Sequence, residues 1–128
     1  MSADTLIAQL ASTARHAART LSTANASERK AALLAIADAI EKRAAEILEA
    51  NAADISQAQS ENMHPQMQDR LLLTPERISG IASGARQVAA LPDPLGKVVR
   101  ESTLPNGLQL KQISVPFGVV GMVYEARP

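Results

Sequence analysis

Not one of the first 64 residues is a glycine or a proline: all seven prolines fall at or after Pro65 and all six glycines at or after Gly80. Such a stretch can hold long helices, because proline removes an intrahelical hydrogen bond and an interior glycine costs about 1 kcal/mol relative to alanine. Alanine is concentrated in the same half, with 19 of 24 before residue 61, whereas all seven valines lie at or beyond Val88. β-Branched side chains suit a pleated, half-buried surface. The sequence therefore predicts helices first and strands after them.

Within the helical half, Leu6, Ile7, Leu10, Ala14, Ala17, Ala18 and Leu21 fall on one stripe of a 3.6-residue repeat, with Asp4 as the expected cap. A second start is expected at Asn25, whose side chain can cap the amide of Glu28 while Glu28 reaches back. Its apolar stripe runs through Leu33, Ala37, Ile40, Ala44, Ile47 and Leu48. Asn51 and Asp54 interrupt that stripe, and Asn51 is read as a new cap for a short continuation that buries Ile55. Met67–Leu73 forms a short helical piece, and Thr74-Pro75-Glu76 then supplies a cap, a proline at the first helical position and an acid in the first turn. Ile78, Ile81, Ala82, Ala85, Val88 and Ala89 make the expected buried face, and Leu91-Pro92-Asp93-Pro94 ends the helix.

From Gly96 the pattern becomes strand-like. Lys97–Glu101 and Leu108–Ile113 flank Pro105-Asn106-Gly107 and predict an antiparallel hairpin, which needs a surface to lie on. Phe117–Tyr124 is an almost unbroken apolar run, the mark of a strand covered on both faces as in a parallel sheet. No crossover and partner strand follow within the 128 residues. The expectation is therefore the N-terminal part of a longer α/β protein, or a truncated product of one; a small helical domain with an added three-stranded sheet is the alternative. Gly118 and Gly121 lack the spacing of a phosphate-binding fingerprint and are read as allowing close packing in the strand.

Composition excludes several function classes. Thirteen basic and thirteen acidic residues cancel, so there is no electrostatic footprint for DNA or RNA. The absence of cysteine removes a disulfide framework, a thiolate zinc site and any thiol nucleophile. No apolar run approaches the ~20 residues of a membrane span, and the expectation is a soluble chain. The first 23 residues, with Arg15, Arg19 and only Asp4 acidic, have the composition of an organelle transit peptide but equally make an ordinary amphipathic helix. His16 and His64 show no metal-ligand spacing, Glu41, Glu46 and Glu49 with Lys42 and Arg43 read as a solvated helix face, and Lys97 and Lys111 read as hairpin solubility. No metal site is expected.

The run Val115-Pro116-Phe117-Gly118-Val119-Val120-Gly121-Met122-Val123-Tyr124-Glu125-Ala126-Arg127-Pro128 resembles the first nucleotide-domain strand and loop of the γ-glutamyl phosphate reductase family, in the aldehyde dehydrogenase superfamily. Ala50–Asp54, Asp69–Pro75 and Leu91–Gly96 agree with it in order and spacing. The Val-Pro-Phe-Gly-Val-Val-Gly part is common to the superfamily, and Tyr124-Glu125-Ala126-Arg127-Pro128 points to the glutamyl phosphate branch.

The resemblance implies a truncated α/β architecture: residues 1–95 as the helical part of the cofactor-binding domain, 96–114 as a β-hairpin of an oligomerisation arm, and 115–128 as the first strand and loop of a Rossmann-type sheet. It implies NADPH-dependent reduction of γ-glutamyl phosphate to glutamate 5-semialdehyde in proline biosynthesis, in a cytoplasmic homo-oligomer without nucleic-acid or membrane partners. In that chemistry a cysteine thiolate attacks the acyl phosphate, phosphate leaves, and hydride reduces the thioester. With no cysteine, these 128 residues contain no catalytic residue and are expected to be inactive by themselves. Tyr124, Glu125, Ala126, Arg127 and Pro128 are the expected cofactor-binding residues, at the carboxyl end of a strand where open α/β sheets bind ligands. Arg127 suits an anion as a bidentate donor, although Glu125 and Arg127 also fit as charged residues that mark a strand end. Another member of the superfamily, and a non-catalytic helical interaction module, remain the alternatives.

Overall fold

The computed structural model of the protein describes residues 2–123. They form five helices followed by a hairpin: α1 (Ala3–Thr23), α2 (Ala26–Lys42), α3 (Ala44–Ser60), α4 (Pro65–Leu71), α5 (Pro75–Ala90), β1 (Val98–Thr103) and β2 (Gln109–Ile113). Two compact units divide them, one containing α1, the hairpin and the segment up to Gly121, the other containing Ser27–Leu91 together with Met122 and Val123.

In the first unit, α1 is capped by Ser2 rather than Asp4. The Thr5 amide donates to Ser2 Oγ at 3.2 Å, and Asp4 instead lies in the first turn, where a carboxylate meets the positive end of the helix dipole. The expected stripe is present in sequence but uncovered: α1 has no buried residue, and only Ala14 and Ala18 are half-buried.

The hairpin pairs antiparallel as predicted, with Arg100 opposite Gln112, Glu101 opposite Lys111 and Ser102 opposite Leu110. Its connection closes where the Leu104 amide donates to Leu108 O at 2.8 Å and the Gly107 amide to Leu104 O at 2.9 Å. Gly107 has φ 84°, in the left-handed region that glycine enters without a Cβ penalty. Asn106 Oδ1 accepts from the Leu108 amide at 3.1 Å, an Asx turn that accounts for the Asn-Gly signal. Lys111 Nζ lies 3.2 Å from Glu101 on the opposing strand, a solubilising pair of the kind expected for that lysine.

The second unit holds the buried residues. Ala37 of α2, Ala58 of α3 and Ile78, Ala82 and Ala89 of α5 are its buried apolar positions. Four of these five are alanines, so the helices can approach closely. The predicted α5 face is narrower than expected, since Ile81 and Val88 are exposed. Thr74 Oγ1 accepts from the Arg77 amide at 3.2 Å with Pro75 at the first helical position, as the sequence indicates.

A helix is expected within 26–50, starting beside Asn25, and α2 is that helix; the expected apolar stripe runs on through Leu48. The helix does begin at Ala26, but it breaks at Arg43, whose φ of −101° and ψ of 16° leave the helical basin, and α3 then runs on to Ser60. Hydrogen bonds from Arg43 to Ala39 and from Ile47 to Arg43 carry the ladder across the break. Arg43 also holds Glu46 with two bonds of 3.0 and 2.7 Å on the exposed face. The predicted Met67–Leu73 piece is displaced toward the N-terminus: α4 starts at Pro65, and His64 caps it by accepting from the Gln66 amide through Nδ1 at 3.3 Å.

Arg86 of α5 ties itself to α2, reaching Glu41 at 2.8 and 2.7 Å and Asp38 at 2.8 Å. The hydrogen bonds from Arg86, with its charge, hold the Glu41 carboxyl below its ordinary value of 4.5. A carboxyl so depressed stabilises the fold above its unfolded pKa, and that contribution is lost as pH falls through the lowered folded value. Arg86→Gln is expected to reduce the melting temperature at neutral pH, with the difference from the parent closing on acidification below the carboxylate range. A difference that stays constant through the acid titration would assign the loss to packing of the arginine stem.

Candidate functional site

The candidate loop is reached through the segment after the hairpin. Ser114 still extends the ladder, donating to Lys97 O and accepting from the Gly96 amide, each at 3.0 Å. Beyond it, residues 115–123 pair with no strand among the described residues. The continuous strand expected from Phe117 is thus not formed there, for two physical reasons. A β-strand requires a neighbour to take its amides and carbonyls, and Gly118 has φ 86°, outside the extended region. Close packing is not what these glycines provide here, since a Cβ at Gly118 or Gly121 would meet no atom within 4 Å. The apolar side chains of the run stand in the open, Phe117 at 98% and Val123 at 103% exposure. Tyr124, Glu125, Ala126, Arg127 and Pro128, the expected cofactor-binding residues, lie outside the described residues.

A cleft of about 400 Å³ forms between α1 and this segment, lined by Arg15, Ala18, Arg19 and Ser22 on the helix and by Pro116, Gly118 and Val119 opposite. It offers two guanidinium groups over an apolar floor, and Ser22 Oγ is already donating to Arg19 O at 2.7 Å.

A second cleft, about 490 Å³, lies in the other unit beside Asp69, Arg70, Leu72, Leu73, Arg77, Gly80 and Ile81. Its arginine is engaged internally. Arg77 Nη1 donates to the carbonyls of Asp69 and Leu72, and Nη2 reaches Asp69 Oδ1 at 3.0 Å. Most of its donor fork is therefore engaged with the chain leaving α4.

The same connection is held from below by Asn51, which sequence reasoning misread as a cap. Asn51 is 3% exposed inside α3. Its Nδ2 donates to Leu71 O at 2.9 Å and its Oδ1 accepts from the Leu73 amide at 2.7 Å. The available signal was an asparagine inside an alanine-rich helix, where its intrinsic preference is poor.

No general base, metal cluster or activated amine emerges among the described residues. No group of three His, Asp or Glu side chains could hold a metal ion; His16 is exposed, His64 is a cap, and Lys97 is exposed. No described helix is long and apolar enough to cross a membrane.

Comparison with known proteins supplies what this geometry leaves open. No family profile matches the chain. It is 51% identical over 115 residues to γ-glutamyl phosphate reductase of Kineococcus radiotolerans, covering 90% of this chain and 27% of that protein. The chain is a homologue of the N-terminal portion of γ-glutamyl phosphate reductase. With γ-glutamyl phosphate reductase of Thermobifida fusca it shares 48% identity over 122 residues, 95% of the chain and 29% of the relative. The chain thus spans between a quarter and a third of the length of these reductases. The fold agrees with part of the same enzyme in two crystal structures. The reductase from Thermotoga maritima matches with a TM-score of 0.76 at 32% identity over 83% of the chain and 26% of that structure. The one from Saccharomyces cerevisiae matches with a TM-score of 0.75 at 34% identity over 84% and 28%.

Proposed function

We propose that this chain is the N-terminal portion of an NADPH-dependent γ-glutamyl phosphate reductase of proline biosynthesis, acting in the cytoplasm as part of a homo-oligomer. The observation that carries the proposal is the 51% identity to a γ-glutamyl phosphate reductase over 90% of the chain. In this reading residues 1–95 are the helical part of the cofactor-binding domain, 96–114 belong to an oligomerisation arm, and 115–128 are the first strand and loop of the nucleotide-binding sheet. The exposed, unpaired run Val115–Val123 supports the last assignment, because an extended apolar segment gains stability only when neighbouring strands satisfy its backbone and layers cover both faces.

The chain's own contribution is positioning. Tyr124, Glu125, Ala126, Arg127 and Pro128 are placed by this reading at the carboxyl end of the strand, where Arg127 binds an anionic group of the substrate or cofactor through its planar fork. NADPH, when bound, supplies the hydride. The thiol that accepts the acyl group is not among these 128 residues, which contain no cysteine.

The test is Arg127→Ala in a polypeptide that continues through the cysteine-bearing part of the reductase. A fall in kcat/KM of about tenfold to a hundredfold is expected, the equivalent of one charge-assisted hydrogen-bonding interaction. Unchanged catalytic efficiency would make Arg127 a charged residue at a strand end and remove it from the site.

A further inference from the structure

We propose that Asn106 is a site of non-enzymatic covalent modification, at which the Gly107 amide nitrogen closes on the Asn106 side-chain amide carbon and converts the asparagine to aspartate and isoaspartate. Asparagine is a thermolabile residue, and its lability depends on the residue that follows it. Of the four asparagines, Asn25 and Asn51 precede alanine and Asn62 precedes Met63, whereas Asn106 precedes a glycine.

The hairpin tip supplies the parts for the reaction. A side chain on the residue after asparagine crowds the five-membered ring that must form, and Gly107 has none. The space around it is open as well, since a Cβ at Gly107 would meet no atom within 4 Å. The electrophilic carbon is polarised: the Leu108 amide donates to Asn106 Oδ1 at 3.1 Å, and a donor on that oxygen stabilises the negative charge it takes up when nitrogen adds to the carbon. Asn106, Gly107 and Leu108 are exposed, so water and base reach all three.

One bond restrains the nucleophile. The Gly107 amide donates to Leu104 O at 2.9 Å, and its nitrogen is released only when the tip opens. The tip belongs to a two-stranded sheet, an arrangement that is marginally stable in water and opens locally at small cost.

With the tip open, hydroxide takes the Gly107 amide proton, the nitrogen bonds to Asn106 Cγ, and the Cγ–Nδ2 bond breaks as ammonia leaves with a proton from water. Water then opens the resulting succinimide. Addition at the side-chain carbonyl restores the ordinary peptide bond and leaves aspartate; addition at the backbone carbonyl leaves isoaspartate, with the chain running through the side chain. Aspartate still accepts from the Leu108 amide, whereas isoaspartate lengthens the backbone by one carbon inside the turn that the Leu104 amide closes on Leu108 O at 2.8 Å. Either product adds one acid to a chain whose thirteen acidic and thirteen basic residues cancel.

Timed incubation of the 128-residue chain at neutral and mildly alkaline pH, followed by tryptic digestion and mass spectrometry, tests the proposal. Cleavage after Arg100 and Lys111 releases Glu101–Lys111, in which Asn106 is the asparagine. Asn106 should convert at least about tenfold faster than Asn25, Asn51 or Asn62, and faster still at the higher pH. Isoaspartate should be among the products, and the isoelectric point should fall below its starting value of about 6.7. Gly107→Asp, which brings a Cβ in a residue that tolerates positive φ, should slow the conversion at least about tenfold while circular dichroism is unchanged. An intact Asn106 in the chain, while the free peptide Glu101–Lys111 converts, would show that the turn protects the asparagine and would overturn the proposal. So would a rate no greater than that of Asn62, or aspartate formed without isoaspartate, which is the signature of direct hydrolysis.

Discussion

Replacing Asn51 by alanine is expected to destabilise the Ser27–Leu91 unit by about 2–6 kcal/mol, because two partly buried backbone groups lose their partners at roughly 1–3 kcal/mol each. The groups are Leu71 O and the Leu73 amide, held at 2.9 and 2.7 Å by the two ends of one side-chain amide. Asn51→Asp separates the two bonds. Its carboxylate still accepts from Leu73 but faces the Leu71 carbonyl with a second acceptor, so it should be nearly as damaging near neutral pH and less so where the carboxyl is protonated and can donate. Urea denaturation followed by circular dichroism measures the loss, and amide exchange at Leu73 localises it. An Asn51→Ala protein within about 1 kcal/mol of the parent, with Leu73 equally protected, would show that water replaces the side chain and that the clamp is incidental.

The 128-residue chain is expected to show no turnover of γ-glutamyl phosphate with NADPH, whereas a polypeptide extended through the reductase cysteine should turn over with the ~10⁶-fold or greater enhancement over the uncatalysed reaction usual for enzymes. The reaction needs a nucleophile that can form a thioester, and the chain contains no cysteine. Among the described residues, Lys111, Ser22 and Ser60 are not set up as replacements. Lys111 is paired with Glu101 on an exposed hairpin, and Ser22 and Ser60 donate to backbone carbonyls of their own helices at 2.7 Å. None has the adjacent base or desolvated pocket that makes a hydroxyl or amine reactive. Following reduced nicotinamide by absorbance in parallel samples of the two polypeptides decides the matter. Steady turnover by the short chain would show that an unrecognised group among these residues replaces the thiol.

How much could be read in advance follows from the range of the interactions involved. The α5 start at Thr74-Pro75 and the hairpin turn at Asn106-Gly107 are set by contacts within three residues, and both stand in the structure where the sequence puts them. Caps and breaks were less legible. Ser2 and Asp4 are both good caps at neighbouring positions, and the choice depends on which hydroxyl or carboxylate reaches a free amide. The kink at Arg43 has no glycine or proline to announce it. For the site, the resemblance points to Tyr124–Pro128, which lie outside the described residues.

From α1 to the hairpin the sequence by itself determined the kinds of element and their order, because alanine content, the absence of Gly and Pro before residue 65 and the two turn signals act through local backbone energies, whereas the strand expected from Phe117 depends on neighbouring strands. Which apolar faces are covered was decided only by tertiary structure. The stripes on α1 and α5 are equally clear in the sequence, yet α5 buries Ile78, Ala82 and Ala89 while α1 buries nothing. Periodicity marks a face that gains free energy when water leaves it, and burial requires a second surface in the right place. Asn51 shows the same division for a polar group: its place in a helix is local, but its two partners lie 20 and 22 residues away and were brought to it by the packing of α4 and α5 around α3.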